Sequence, residues 1–328
     1  MRKSISQGSC RFAAVVACAF FASTSMNVRA QATPKPVRLV VGFAAGGATD
    51  ITARMIAPRL SESLGVPVIV ENRGGSGGLI ATEMVARAAP DGSTLLLMPA
   101  ADAVQPALRA KLPYDLERDF TPISRIVTGP WFLIVHPAVP ARSAKELVAL
   151  ARAHPGKLNY GSSGIGSSAH MSTEVFSSLA NVSMVHVPYK GVSEGVTATA
   201  AGEVDLIFAS IPASRPLLAA GKVRSLGVST RSRTKLAPEM PTLHESGVPG
   251  YDRSGWYGML APAGVPRDYV TRVNAIIAKA ANSPQMVEAF NKQGLEPATT
   301  TPEDFGRFIR EEVLQNMNVV KKAGIKTN

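Results

Sequence analysis

The chain has 328 residues, 45% of them apolar and 18% charged, with 35 Lys and Arg against 24 Asp and Glu and a formal charge of +11. So much apolar material excludes a disordered chain, and 28 glycines and 24 prolines without a three-residue period exclude a collagen-like one. The length accommodates two domains of roughly 100 to 200 residues each.

The first thirty residues stand apart. Arg2, Lys3 and Arg11 surround the start of an apolar run from Phe12 to Ala22, and Val28-Arg29-Ala30 suits cleavage after Ala30. This is the layout of an export signal peptide over residues 1–30, and its apolar run is shorter than the ~20 residues that span a bilayer. Val15-Val16-Ala17-Cys18 offers a rival lipoprotein-type cut, with Cys18 as lipidation site, but it lies inside the apolar run instead of at its end. Cleavage after Ala30 removes four basic residues and no acidic one, leaving +7, and removes both cysteines, Cys10 and Cys18. The remaining chain then has no thiol for a disulfide, a metal thiolate or a nucleophile.

Beyond Pro36, short β-branched runs alternate with helical patterns, which predicts an α/β protein with parallel sheets covered by helices. Residues 37–42 read as a buried strand, 48–64 as a helix, 66–71 as a strand, 77–88 as a helix and 93–98 as a strand. Residues 121–137 mix aromatic and β-branched residues with Gly and Pro and read as an extended joint. A second α/β unit follows, opened by the capping box Ser143-Ala-Lys-Glu146. Strands are predicted within 157–161, 184–187, 204–210 and 223–229, with helices between them. Residues 253–266 form a second extended joint, after which two helices are expected, one following Pro266 and one starting at Thr301-Pro302-Glu303-Asp304. The final helices need a sheet for their apolar faces, so the chain leaves domain one, builds domain two and returns. The domains expected are 32–131 with 256–328, and 132–255.

Two loops join a strand to a helix where free helix amides make an anion site without charged side chains. The first is Phe43-Ala-Ala-Gly46-Gly47-Ala-Thr49-Asp50, for which an ordinary tight turn with Asp50 as helix cap is the alternative. The second is Gly161-Ser-Ser-Gly-Ile-Gly-Ser-Ser168, for which a serine-rich cap is the alternative. Neither has the dinucleotide or P-loop spacing. Two such loops, one in each domain, suit a carboxylate ligand held in a cleft. Gly74, Gly75, Gly77 and Gly78 suit a close backbone approach or a hinge, and Lys190 could face a carboxylate or simply be solvated.

Enzyme signatures are weak. Gly191-Val-Ser193-Glu-Gly195 matches G-x-S-x-G, but Pro188 precedes it and no long strand leads into it. His136, His154, His170, His186 and His244 show no paired metal-ligand spacing, and His170 reads as packed or hydrogen-bonded. No clustered basic and aromatic pattern suggests nucleic acid.

The blocks PVRLVVGFAAGGATDITARMIAPRL through DGSTLLL, then NYGSSGIGSSAHMSTEVF, VPYKG, GEVDLIF and WYGMLAPAGVP, resemble the Bug family over essentially the whole mature chain. These are periplasmic solute-binding receptors of tripartite tricarboxylate transporters. The resemblance implies a two-domain periplasmic-binding-protein fold of the type II, Venus flytrap kind, with the ligand in a cleft between domains. It implies a cleaved, monomeric periplasmic receptor that captures a di- or tricarboxylate, acidic amino acid or aromatic acid for membrane permease subunits, or alternatively presents its closed form to a sensor kinase. No enzyme activity, cofactor or metal is expected, and a secreted hydrolase built on Ser193 or the 161–168 serines is the remaining rival. Carried onto this chain, the resemblance implies ligand contacts from Phe43, Gly46, Gly47, Thr49 and Asp50, and from Ser162, Ser163, Gly166, Ser167 and Ser168. Tyr189, Lys190 and Asp205 are further contacts implied by the VPYKG and GEVDLIF blocks.

Overall fold

The computed structural model describes residues 35–325, and the expected export signal, with Cys18, lies outside them. β1 (Val37–Val41) runs into α1 (Ala48–Leu64), then β2 (Val68–Asn72). A 3-10 turn (Ser76–Gly78) leads to α2 (Leu79–Ala86) and β3 (Thr94–Pro99). β1 pairs in parallel with β2 and β3, and every residue of β3 is buried, as befits a strand covered on both faces. A second 3-10 turn (Ala100–Val104) and the short α3 (Gln105–Leu108) follow.

The first extended joint is two strands, β4 (Phe120–Gly129) and β5 (Trp131–Val135), on either side of Pro130. Proline has no N–H for a ladder, and Pro130 stands where the chain leaves one sheet for the other. The second sheet is then built from α4 (Ala144–Ala153), β6 (Asn159–Ser162), α5 (Ser168–Ala180) and β7 (Val185–Pro188). It is completed by α6 (Val192–Ala201), β8 (Leu206–Ser210), α7 (Ile211–Ala219) and β9 (Arg224–Val228). The capping box forms: the Ser143 hydroxyl accepts from the Glu146 N–H at 3.2 Å, and the Glu146 carboxylate accepts from the Arg142 N–H at 2.6 Å. The chain returns through β10 (Gly255–Pro262), α8 (Arg267–Ala281), α9 (Pro284–Lys292), β11 (Glu296–Pro297) and α10 (Pro302–Ala323).

The strand orders are β11-β4-β10-β3-β1-β2 and β7-β6-β8-β5-β9. The sheets are mixed, which corrects the all-parallel expectation. β10 lies antiparallel between β3 and β4, and β5 lies antiparallel between β8 and β9. These strands carry the chain from one sheet to the other and back, with no crossover helix to restore a common direction. A second correction concerns the C-terminal segment, which has three helices instead of two. Pro284 separates α8 from α9, since a proline disfavours helix in the residue before it and suits the first turn of the next.

The closing helices find their sheet. Val270, Val273 and Ile277 of α8 join Leu39 and Leu95 in one core, while Phe305 and Ile309 of α10 join Trp256 and Leu260 on the opposite face. Val319 and Val320, at the far end of α10, are buried in the core of the second sheet, so this helix packs on both lobes. Thr301 caps it by accepting from the Asp304 N–H at 3.1 Å. Gly258 of β10 is required by Phe305, because a Cβ there would lie 2.7 Å from Cε1 of the ring. Gly258→Ala is expected to destabilise the protein by about 1–3 kcal/mol in urea unfolding, and Gly258→Ala with Phe305→Leu to recover part of the loss. No helix among the described residues is long and apolar enough to cross a membrane.

Candidate ligand-binding site

Both loops predicted from sequence sit at the carboxyl ends of their strands, β1 and β6, on the side where the two lobes meet. The first is held by a closed circuit of polar contacts. Gly46 N–H and Arg54 Nε both donate to Asp50 Oδ2 at 2.9 Å, Arg54 Nη2 donates to Asn72 Oδ1 at 3.2 Å, and Asn72 Nδ2 donates to the Phe43 carbonyl at 3.1 Å. Asp50 is buried, and the Arg54 guanidinium, helped by the Gly46 amide, lowers its pKa to about 2. Gly46, at φ +80°, makes the bend, and Gly47 starts α1 in an extended conformation without a side-chain cap. Gly46 and Gly47 are exposed, Phe43 is half-buried and Thr49 is buried. Asn72, which ties this loop from β2, carried no signal in the sequence, whereas Arg54 stands four residues after Asp50 on α1, a spacing at which helix side chains meet.

In the second loop, Ser167 caps α5 by accepting from the His170 N–H at 3.3 Å, and the Gly166 N–H donates to His170 Nδ1 at 3.1 Å. Ser162 Oγ accepts from the Gly164 N–H at 3.0 Å and lies 2.5 Å from His186 Nε2. The His170 and His186 rings stand 4.2 Å apart, His186 stacks on Tyr160 at 4.9 Å, and the Tyr160 hydroxyl donates to the Glu174 carboxylate. Burial, with the neighbouring His186, pushes the His170 pKa down to about 4, and burial also lowers that of His186 and raises that of Glu174. His170 is thus packed and hydrogen-bonded, as its sequence context suggests. Ser162 and His186 have the spacing of a nucleophile and base, but the Ser162 side chain is fully buried and its oxygen is engaged with Gly164. Ser163, Ser167 and Ser168 are half-buried, and Gly166 is buried against Leu108 of the other lobe.

Tyr189 follows β7, and its N–H donates to the Ser162 carbonyl at 2.8 Å, which keeps it beside the second loop. Lys190 is exposed, and its backbone N–H donates to the Glu194 carboxylate at 3.0 Å. Asp205 stands at the opposite end of the sheet, before β8, where its carboxylate accepts from the Asn159 N–H at 2.7 Å. The structure does not bring Asp205 to the cleft. Of the glycine cluster, Gly78 meets a neighbouring backbone closely, since a Cβ on Gly42 would lie 2.8 Å from Gly78 Cα. Ser193 is exposed in the first turn of α6, after the four-residue β7.

Between the lobes lies a cavity of about 250 Å³ that neither loop's motif announced. Its walls come from α1 (Ala48, Ile51), β5 (Trp131), β10 (Tyr257), the start of α6 (Val192) and the end of β8 (Ser210). Three helices, α1, α6 and α7, begin at this wall, and none has a side-chain hydrogen bond capping its start. α4, α5 and α10 are capped by Ser143, Ser167 and Thr301, whereas α2, α3, α8 and α9 also lack a side-chain cap, so it is the convergence on one cavity that sets these three starts apart. Uncapped helix starts present free N–H groups and the positive end of the dipole, so they favour an anion without a cationic side chain. Among the described residues no group of three His, Cys, Asp or Glu is placed to hold a metal ion.

The sequence matches the family described as "Tripartite tricarboxylate transporter family receptor" over residues 52–325. It is 34% identical to "Protein BugT" of Bordetella pertussis over 294 residues, covering 89% of this chain and 90% of that one. Among solved structures, it is similar to "R. palustris Rpa4515 with adipate", with 37% identity and a TM-score of 0.76 over 90% of this chain and 99% of that one. It is also similar to "MatC (Rpa3494) from Rhodopseudomonas palustris with bound malate", with 31% identity and a TM-score of 0.71 over 88% of this chain and 99% of that one. The two-lobed α/β fold and the match across most of the chain agree: this chain belongs to the receptor family of the tripartite tricarboxylate transporters, which includes the Bug proteins.

Proposed function

We propose that this protein is a periplasmic receptor that captures a small carboxylate between its lobes and delivers it to the permease subunits of a tripartite tricarboxylate-type transporter. The observation that carries this reading is the convergence of three uncapped helix starts on one inter-lobe cavity. Relatives bound to adipate and to malate are consistent with a carboxylate ligand. Residues 1–30 serve as the export signal, and the receptor performs no chemistry on its ligand. Phe43, Gly46, Gly47 and Thr49 serve the ligand with amides and a hydroxyl from one lobe, and Ser163, Gly166, Ser167, Ser168 and Tyr189 serve it from the other, while Ser162, buried with its oxygen engaged by Gly164 and His186, shapes the second loop. Asp50, an ionised acceptor, acts on the loop and not on an anionic ligand, by holding Gly46 and Arg54 in place. The lobes, 32–131 with 256–328 and 132–255, close about the two joints, excluding water and strengthening those hydrogen bonds.

Micromolar binding, about −8 kcal/mol, is expected for a C4 to C6 or aromatic carboxylate in calorimetry across di- and tricarboxylates, acidic amino acids and aromatic acids. Asp50→Ala is expected to weaken the best ligand of that panel by about tenfold or more, roughly 1.4 kcal/mol, through loss of the loop's shape. Unchanged affinity in the folded variant would remove the first loop from the site, and absence of any carboxylate ligand would overturn the receptor reading.

A further inference from the structure

The second loop rests on a buried group of ionisable side chains that the receptor reading leaves without a task. His170 of α5 and His186 of β7 stand ring to ring at 4.2 Å, His186 stacks on Tyr160 of β6, and the Tyr160 hydroxyl donates to the Glu174 carboxylate. Burial disfavours the charged forms of both histidines and of Glu174, and it brings the His170 pKa down to about 4. Both imidazoles are therefore neutral near pH 7, with a lone pair free to accept. Apolar side chains would fill the same space without the cost of burying polar atoms. The hydrogen bonds show what the group supplies instead. His170 Nδ1 accepts from the Gly166 N–H at 3.1 Å, near the end of the loop, and His186 Nε2 lies 2.5 Å from Ser162 Oγ, at its start. Ser162 Oγ accepts in turn from the Gly164 N–H at 3.0 Å, and the Gly164 carbonyl accepts from the Ser167 N–H at 3.2 Å.

Gly164 and Gly166 hold φ of +105° and +77°, conformations that glycine can adopt but does not prefer. A loop of small residues left to itself spreads over many conformations, and a ligand that selects one of them binds more weakly by the ordering entropy. In this protein the order is built in. The two imidazoles fix both ends of the loop, and Leu108 of the other lobe leaves no room for a Cβ on Gly166. Fully bonded buried networks of this kind rigidify what they touch, and here they touch the loop. We propose that His170 and His186 are positioning residues for ligand capture, holding the 162–168 loop in its binding shape through Gly166 and Ser162 without touching the ligand themselves. This inference rests on the carboxylate-receptor reading, in which that loop is one wall of the site, and names the pair that gives the wall its shape.

The test separates hydrogen bonding from packing at each histidine. Asn places its amide oxygen where His places Nδ1, and Gln places its terminal amide where His places Nε2. His170→Asn and His186→Gln therefore keep the bonds that His170→Leu and His186→Phe remove. Calorimetry on the mature chain near pH 7 uses malate, adipate and benzoate as probes. His170→Leu and His186→Phe are expected to weaken the tightest-binding probe by about tenfold or more, and His170→Asn and His186→Gln to stay within about threefold of the unaltered protein. A second readout needs no ligand. Exchange of the Gly166 amide hydrogen, followed by NMR, is expected to be about tenfold or more faster in His170→Leu than in His170→Asn. Should the apolar variant of one histidine fail to fold, the variants of the other make the same comparison. Histidines that only pack would give equal probe affinities in the apolar and amide variants, or equal Gly166 exchange, and either result would overturn the positioning role while leaving the receptor reading intact. Failure of all three acids to bind would overturn the receptor reading and this inference with it.

Discussion

Arg253→Met is expected to destabilise the protein by about 3–5 kcal/mol, the largest single-site effect on offer, because it leaves buried partners without their charge. Arg253 is 6% exposed and lies in the second crossing between lobes, just before β10. Its Nη1 donates to Glu312 and Gln315 at 3.1 Å, and its Nη2 donates to Asn316 Oδ1 at 3.0 Å. All three partners belong to α10. Glu312 also accepts from Trp256 Nε1 at 3.2 Å, and the Asn316 amide donates to the Ala103 carbonyl at 3.0 Å. One guanidinium thus joins the crossing strand, the last helix and the 3-10 turn after β3. The loss should appear as a lower midpoint of urea unfolding with an unchanged slope, since the exposed surface is the same. Glu312→Gln should cost less, because the amide oxygen still accepts from Arg253. A midpoint shift worth under about 1 kcal/mol in Arg253→Met would mean that water replaces the guanidinium there.

Asp102→Asn is expected to raise stability at alkaline pH and to leave it nearly unchanged near pH 4. Asp102 is 1% exposed, accepts from the Thr82 hydroxyl at 3.3 Å, and has its other oxygen buried without a partner. Burial raises its pKa to about 8 against an ordinary value of 3.8. The folded state therefore holds a proton that the unfolded state gives up, so this residue's contribution is fully present below about pH 4. It is lost progressively as pH rises through 8. Four pH units at about 1.36 kcal/mol each set an upper bound of about 5 kcal/mol on the gain at pH 9. The check is the difference in unfolding free energy between the two proteins from pH 4 to pH 9. Subtraction removes the opposite trend of His170, whose lowered pKa makes stability fall on acidification below about pH 6.5; that of Asp50 sets in only below about pH 4. A difference independent of pH would show that Asp102 is ionised in the folded protein throughout.

Much of the fold was legible along the chain. The helix read over 48–64 has those bounds, and the cap at Ser143 and the helix start at Thr301 follow from local hydrogen bonding that short spacing encodes. Such features depend on residues three or four positions apart, so a single sequence carries them. The antiparallel placement of β5 and β10 was not legible, because strand direction depends on which sheet a strand joins and not on its own residues. Nor was the third closing helix, for which the pattern after Pro266 was read through the break at Pro284.

The site divides in the same way. The glycine and serine loops after β1 and β6 could be recognised from sequence, since a strand running into a helix through small residues is itself a local pattern. Their supports could not. Asn72 reaches the first loop from β2, and His186 reaches the second from β7. Asp205 shows the converse, a residue adjacent in sequence to a relevant strand but placed at its far end. The cavity walled by Trp131, Tyr257, Val192 and Ile51 exists only because two sheets, separated along the chain, are brought face to face at their crossings. The amino-acid sequence by itself determined which segments form strands, helices and the glycine- and serine-rich loops between them, because those choices are made by near neighbours. Only the tertiary structure decided which helix starts remain uncapped toward one another and what apolar surface lies between them, because burial and pairing are set by residues distant in sequence.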